Sequence, residues 1–450
     1  MQRESLATSF FRAYDLRGVH PAEIDADVAR RIGRAYGSEC EGSPVVVGRD
    51  GRTQAPEIAA ALTEGIVATG TDVVDVGVVP TPLVRYASTR PEFAGAAMVT
   101  ASHNPPEYIG VKFSTAEGVA MSRDGGMKAI QERYETGTFE RGDGTRTERD
   151  LEEAYLDALL APLDEADVTV AVNFANGVAA TVGRTLLERL GCTVIGINER
   201  IDGTFPAHPP VPDDPTAIEA VTDRLDDADA GICFDGDGDR MGLVVPDRGA
   251  VPTDQLMALF AHACLERERG TVVHSLDTSQ LVADVVEAHG GTTVETRVGF
   301  TYIAEEIDER DGVVFAGEPS GHYGFPAFGI DWDDGLFGAA LACHLLSSTD
   351  VGDRLDAMPA YPTSPTHRIE CPDAAKTPAI EAIDDRFDGH PRSRLDGVKI
   401  RFPDGWALVR PSNTEPKLSV RCEAQTDDAL AEIETTVLEA VADAIEVGSQ

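Results

Sequence analysis

The segment Phe234–Val244 reads FDGDGDRMGLV, and its three carboxylates alternate with glycines. Asp235, Asp237 and Asp239 at that spacing repel one another strongly unless a cation lies between them. The alternation lets all three side chains face one point, and the glycines permit tight curvature. Hard oxygen ligands of this kind suit Mg2+ or Ca2+. A calcium-binding helix–loop–helix is excluded, because its sixth position requires glycine and holds Arg240, and its twelfth requires glutamate and holds Pro246. A solvated acidic turn is the plain alternative. Arg240 argues for a site, since a cation beside clustered carboxylates implies an anionic third party such as phosphate.

Three further stretches carry polar chemistry. In VTASHNPPEYIGVKF (Val99–Phe113), Ser102 follows a strand where a loop can present its hydroxyl. His103 and Asn104 stand beside it, Pro105–Pro106 stiffens the turn, and Lys112 lies on the next strand. An ordinary polar turn would look similar, and the G-x-S-x-G pattern of a hydrolase nucleophile is absent. In FAGEPSGHYGF (Phe315–Phe325), Glu318, Ser320 and His322 alternate in a glycine-bounded loop and can exchange hydrogen bonds with vicinal sugar hydroxyls. A turn with a capping serine is the alternative there. In VRPSNTEPKLSVR (Val409–Arg421), Arg410, Ser412, Asn413, Thr414 and Arg421 make a plausible phosphate cradle, or their arginines pair surface acids. Near the start, Arg17 of FRAYDLRG either reaches a phosphate or pairs with Asp15.

Strands and helices that alternate must position these loops. Pro44–Asp50 is a β-branched run, followed by a helical stretch from Ala55 and the strand DVVDVG; Gly95–Thr100 is a further strand. The cycle restarts near Asp167 and again near Gly270. Such alternation indicates parallel or mixed sheets with helices on both faces, hence three similar α/β units. From about Val398 the pattern changes to GVKIRF, GWALVRP and KLSVRCEA, strands joined by turns, then an amphipathic helix from Asp427 to Ile445. That is an α+β module with an antiparallel sheet. Gly137–Asp150, the region after Asp247, and Ala357–His367 read as linkers.

With 450 residues the chain exceeds one compact core. Its 78 acidic residues outweigh 38 basic ones, for a net charge of -40, and only five residues are lysine. So negative a surface repels nucleic acid and suits a halophilic, archaeal host, where high salt screens self-repulsion. Seven scattered cysteines form no C-x-x-C pair and suggest a reducing cytoplasm. The sequence contains no apolar run of bilayer length and begins with no secretory leader, so no membrane partner is expected.

The segments YDLRG, TASHNP, GVKF, DGDGDR, GEPSGH and RPSNTEP follow one another along nearly the whole chain. Together they resemble the alpha-D-phosphohexomutase family, in particular its phosphomannomutase/phosphoglucomutase branch. The resemblance implies four domains around a central cleft: 1–148 with a phosphoserine loop, 149–249 with a metal loop, 250–356 with a sugar loop and 357–450 with a phosphate loop. It implies that Ser102 carries the phosphoryl group, and that Asp235, Asp237 and Asp239 bind one Mg2+ per chain with the phosphoserine as a further ligand. His103, Lys112 and Arg240 match groups handling protons or phosphate. Glu318 and Ser320 match the readers of sugar hydroxyls, with His322 beside them. Arg410, Ser412, Asn413, Thr414 and Arg421 match the grip on the non-reacting phosphate, and Tyr14 and Arg17 line the cleft.

The implied reaction interconverts hexose 6-phosphate and hexose 1-phosphate, of mannose or glucose, through a bisphosphorylated sugar, with hexose 1,6-bisphosphate as activator. A phosphosugar is the expected partner of a cytoplasmic monomer or homodimer. A phosphoglucosamine mutase remains the alternative, ahead of a non-catalytic phosphosugar-binding paralogue. One departure bears on sugar preference: several members place a polar residue after the glycine of TRVGFTYI, where this chain has Phe300.

Overall fold

The computed structural model describes residues 8–12, 15–40, 44–412 and 416–448. Tyr14, Asn413 and Thr414 lie outside the described residues. Four sheets define four units. The first has six strands, in the order Leu16–Val19, Tyr108–Ser114, Ala96–Val99, Val45–Arg49, Val73–Val78, Arg146–Glu148. Its last four strands run parallel, whereas Tyr108–Ser114 runs antiparallel to both of its neighbours. The second sheet pairs Thr169–Asn173 in parallel with Thr193–Ile197 and Ala230–Phe234, then adds Met241–Val245 antiparallel. The third pairs Thr271–Ser275 in parallel with Thr292–Thr296 and Val313–Gly317, and closes with the short antiparallel Tyr323–Gly324. The sheet of the last unit is antiparallel throughout.

These pairings explain where the polar loops fall. The serine loop joins Ala96–Val99 to Tyr108–Ser114, the aspartate loop joins Ala230–Phe234 to Met241–Val245, and the Glu318 loop joins Val313–Gly317 to Tyr323–Gly324. In each unit, then, a chemical loop sits where a parallel sheet turns back on itself. A parallel strand's end is covered by helices on both faces, so the loop leaving it is the point where side chains reach a cleft.

The first three units share one apolar core. It runs from Val46, Leu83 and Met98 through Val172, Phe174, Ile232 and Phe234 to Phe315, Leu336 and Phe337. The helix Gly335–Ser348 makes the join possible: it is apolar almost all round and therefore buried. Asp334 caps its start, accepting from the Phe337 amide at 2.8 Å. The last unit has a separate core, from Cys371 through Val420 to Val437 and Val441.

The regions between the units carry more structure than their composition suggests. Arg146–Glu148, inside the expected linker Gly137–Asp150, is an edge strand of the first sheet. Gly249–Ala250 pairs with Val244–Val245 in the region after Asp247. The last unit also contains a helix at Asp373–Arg386, which its strand-rich sequence hid. Among the described residues, no helix is long and apolar enough to cross a membrane.

Candidate active site

Ser102 is buried and its φ is +49°, the left-handed region that a residue with a Cβ rarely enters. Such a conformation costs about 1–3 kcal/mol and persists only where the surroundings hold it. Here the Ser102 amide donates to Thr100 Oγ1 at 2.8 Å. The result turns Ser102 Oγ away from its own strand and toward the second unit, where it donates to Asp235 Oδ2 at 2.8 Å. His103 Nδ1 lies 3.2 Å from the same oxygen.

Asp235, Asp237 and Asp239 are all fully buried. Each offers an oxygen within 4.8 Å of the other two. Glycine is required at 236, because a Cβ there would lie 2.7 Å from the Ser102 carbonyl oxygen. Gly238, at φ +78°, supplies the tight turn and donates its amide to Asp235 Oδ1 at 2.9 Å. Lys112 Nζ bridges Asp237 Oδ2 at 2.8 Å and Asp239 Oδ2 at 2.6 Å. Thr81 and Thr100 also donate to Asp237 Oδ2.

Burial and the two neighbouring carboxylates push Asp235 well above the usual carboxylate range. Burial works the same way on Asp237 and Asp239, but Lys112, together with Asp235 for the one and His322 and Arg240 for the other, outweighs it and both stay below that range. Burial opposes the Lys112 charge, yet the aspartates win and hold it firmly protonated. Among the described residues, Asp237 Oδ1 and Asp239 Oδ1 are buried with no hydrogen-bond partner, Asp239 Oδ1 having only the ion-pair contact with His322 at 3.4 Å. Two orphaned carboxylate oxygens at one point, with an all-oxygen donor set, fit a hard divalent cation.

The second and third units meet at this point. Arg240 and His322 form a backbone β-bridge, and Arg240 Nε lies 3.2 Å from His322 Nε2. His322 Nδ1 lies 2.7 Å from Ser320 Oγ and 3.0 Å from Glu318 Oε1, and its Nε2 lies 3.4 Å from Asp239 Oδ1. Burial and Arg240 depress His322, but Asp239 and Glu318 raise it to about 9. His103 is depressed far below the usual imidazole range, first by Arg240 and then by burial.

A cavity of about 270 Å³ opens on these groups. Arg17, His103, Lys112, Arg240, Glu318 and His322 contribute to its wall, and so does Phe300. Arg17 pairs with Asp15 at 2.5 Å and also reaches Asn104 Oδ1 at 2.7 Å, so it ties its own segment to the serine loop. Phe300 stands beside the imidazole of His322, ring centroids 5.8 Å apart, and gives the cavity one apolar wall.

The phosphate-loop residues behave differently. Arg410 pairs with Asp396 at 3.1 Å, and the Ser412 carbonyl accepts from Lys376 at 2.8 Å. Arg421 donates to Asp254 Oδ2 at 2.8 Å and to the Asp277 carbonyl at 2.7 Å, both in the third unit. It therefore sits in the seam between units. Asp277 itself lines the cavity, so the loop is anchored at the cleft's edge.

Two groups escaped the motif reading. Arg85, on the helix Thr81–Ser88, pairs with Asp333 at 2.6 Å across the first and third units, and both line the cavity. A charged residue inside an otherwise apolar helix was the available signal for Arg85; for Asp333 it was the acid pair ahead of an apolar helix.

Comparison with known proteins agrees along the whole chain. Models of phosphoglucomutase/phosphomannomutase alpha/beta/alpha domains I, II and III match residues 8–141, 153–249 and 252–361, and the C-terminal domain model matches 367–440. The phosphomannomutase/phosphoglucomutase of Pseudomonas aeruginosa is 36% identical over 443 residues, covering 96% of this chain and 95% of that protein. A probable phosphoglucosamine mutase of Methanopyrus kandleri is 34% identical over 458 residues, covering 97% and 98%. The crystal structure of a phosphoglucomutase/phosphomannomutase family protein from Burkholderia thailandensis superposes with a TM-score of 0.91 at 34% identity, covering 98% of both chains.

Proposed function

This chain belongs to the phosphoglucomutase/phosphomannomutase family, and from that premise we propose that it interconverts hexose 6-phosphate and hexose 1-phosphate, with mannose or glucose as the sugar. The observation that carries the reading is Ser102 Oγ, 2.8 Å from Asp235 Oδ2 and 3.2 Å from His103 Nδ1, His103 lining a cavity whose wall also holds Glu318, Ser320 and His322. The four units, taken at 1–148, 149–249, 250–356 and 357–450, supply one loop each.

Phosphomonoesters hydrolyse very slowly unaided, so transfer depends on positioning and charge compensation. In the resting enzyme Ser102 carries the phosphoryl group, with close to two negative charges. Lys112 and Arg240 offset that charge. Asp235, Asp237 and Asp239 would hold one Mg2+, with the Ser102 oxygen as a further ligand; when bound, the ion supplies positive charge beside the phosphoryl oxygens. Glu318, Ser320 and His322 bind the sugar hydroxyls, and Tyr14 and Arg17 line the way in. A sugar hydroxyl attacks phosphorus as the bond to Ser102 Oγ breaks; the neutral imidazole of His103 takes the hydroxyl proton, and the departing Ser102 oxygen is reprotonated by a facing acid, Lys112 or His322. The product is a bisphosphorylated sugar. It turns over in the cleft and returns its other phosphoryl group to Ser102, which is why hexose 1,6-bisphosphate primes the enzyme. Arg410, Ser412, Asn413 and Thr414 hold whichever phosphate is not reacting, and Arg421 fixes that loop's unit against the third.

A second reading, phosphoglucosamine mutase, is supported by the similarity to the Methanopyrus kandleri protein. A coupled assay on mannose, glucose and glucosamine 1-phosphates, with a trace of bisphosphate, separates the two. Ser102→Ala is expected to lower turnover about 10⁴-fold or more on the preferred sugar. Wild-type turnover in that variant would end the proposal. We further propose a halophilic host, on the strength of the net charge of -40 and few lysines, and a cytoplasmic setting, on the strength of seven scattered cysteines.

A further inference from the structure

The serine loop does not hold its own shape. Pro105 and Pro106 bring no amide hydrogen, and the backbone bonds inside the loop run from Asn104 to the Ala101 carbonyl and from Tyr108 to the Pro105 carbonyl. Ser102 is buried, and a buried carbonyl left without a donor costs about 1–3 kcal/mol. Arg52 supplies the donors. It leaves the turn after the strand Val45–Arg49, and its side chain is 0% exposed. One terminal nitrogen donates to the carbonyls of Ser102 and Asn104, both at 2.7 Å. The other donates to the carbonyls of Pro105 at 2.7 Å and Tyr108 at 3.1 Å. Nε pairs with Asp50 Oδ2 at 3.1 Å, which fixes the plane of the guanidinium. Gln54 adds donations to the carbonyls of Pro106 at 2.8 Å and Tyr108 at 2.9 Å.

The same side chain also touches the second unit. Its guanidinium carbon lies 5.0 Å from the centre of the Phe205 ring, and that ring flanks Gly236 in the aspartate loop. The serine loop thus meets this buried cation directly, and the aspartate loop meets it through the Phe205 ring.

We propose that Arg52, assisted by Gln54, is a positioning residue of the transfer reaction: its guanidinium gathers the carbonyls of residues 102–108 and keeps Ser102 in its left-handed conformation, aimed at Asp235. This inference rests on the reading of Ser102 as the phosphoryl carrier. A guanidinium is suited to it because its five N–H groups lie in a rigid plane, whereas an ammonium offers three donors in a tetrahedral spread.

The test compares full-length Arg52→Lys, Arg52→Ala and Gln54→Ala with the wild type by steady-state kinetics and by amide hydrogen exchange of peptides spanning 100–110. For Arg52→Lys, kcat is expected to fall about 100-fold, the scale of a misplacement near 1 Å, with KM within about 3-fold. Exchange is expected to accelerate in 101–108 and to stay unchanged in the C-terminal unit. Millimolar guanidinium should restore part of the Arg52→Ala activity. Unchanged kcat, or exchange that quickens evenly over the chain, would overturn the assignment. If neither Arg52 variant folds, Gln54→Ala decides: a loss near 5-fold in kcat with KM held, about one hydrogen bond's worth, supports the role, and unaltered kcat and exchange refute it. A wild type with no mutase activity would sink the reaction assigned to Ser102, while the exchange comparison would still judge the clasp.

Discussion

The aspartate loop and the phosphate loop are built on opposite principles. Asp235, Asp237 and Asp239 are fully buried at the meeting point of units that share one continuous apolar core. The last unit, by contrast, meets its neighbour through a small apolar cluster of Leu276, Trp406 and Leu408 together with charged and polar contacts. Lys399 and Arg401 pair with Glu295 at 2.6 and 2.8 Å, Arg421 with Asp254, and Glu423 accepts from the Gln280 amide and the Trp406 indole. Apolar packing is unforgiving and fixes geometry to a fraction of an ångström. A polar seam can part and rejoin at modest cost, as interfaces between mobile domains do. The difference suits the proposed reaction, in which the transferring end would stay rigid while the gripping end releases and accepts a turning substrate.

That contrast can be broken at its rigid end first. Asp237→Asn, or thorough chelation of the wild type, is expected to lower kcat about 10³-fold or more, because the charge compensation at the reacting group is lost. Mg2+ should restore the chelated wild type and leave the variant inactive, read by the coupled assay. Activity that survives chelation would remove the metal from the site. The seam should respond less. Arg421→Ala leaves Asp254 without its cation and is expected to reduce kcat about 10-fold, with calorimetry showing the first three units melting at the wild-type temperature. A single, uniformly lowered transition would mean that the seam is as integral as the core. Arg401, 42% exposed, is the mildest cut. Arg401→Ala should cost no more than about 0.5 kcal/mol, and the loss should vanish in molar KCl, where exposed pairs are screened. The same salt should raise the melting temperature of the whole chain by relieving its acidic self-repulsion; full stability in dilute buffer would count against a halophilic origin.

What the sequence disclosed follows the same division. The serine, aspartate and Glu318 loops were readable because each is a short contiguous run whose residues meet one another through local curvature. Their convergence was supported by the strand–helix alternation that puts each loop at a strand end. Arg85 and Asp333, Thr81 and Asp237, and Arg52 and the 102–108 carbonyls were not readable, since each pair is assembled by packing between distant segments. Arg421 illustrates the limit from the other side. Its charge suggested a phosphate, but nothing in a run of residues reveals that Asp254 stands opposite. The edge strand Arg146–Glu148 was hidden by its composition, exposed and charged, because it buries no apolar face and is held by backbone pairing with Val73–Asp75 and by the Arg146–Asp75 ion pair at 2.7 Å. The helix Asp373–Arg386 was masked by an internal proline, Pro378.

The β-bridge between Arg240 and His322 has a consequence for redesign. It stitches the aspartate loop to the Glu318 loop by main-chain bonds, which no choice of side chain can loosen. Transplanting residues 315–325 from a relative of different sugar taste would drag Asp235, Asp237 and Asp239 with it. A chimera that is meant to change substrate and keep its turnover must exchange both loops together, cutting the chain outside the pair.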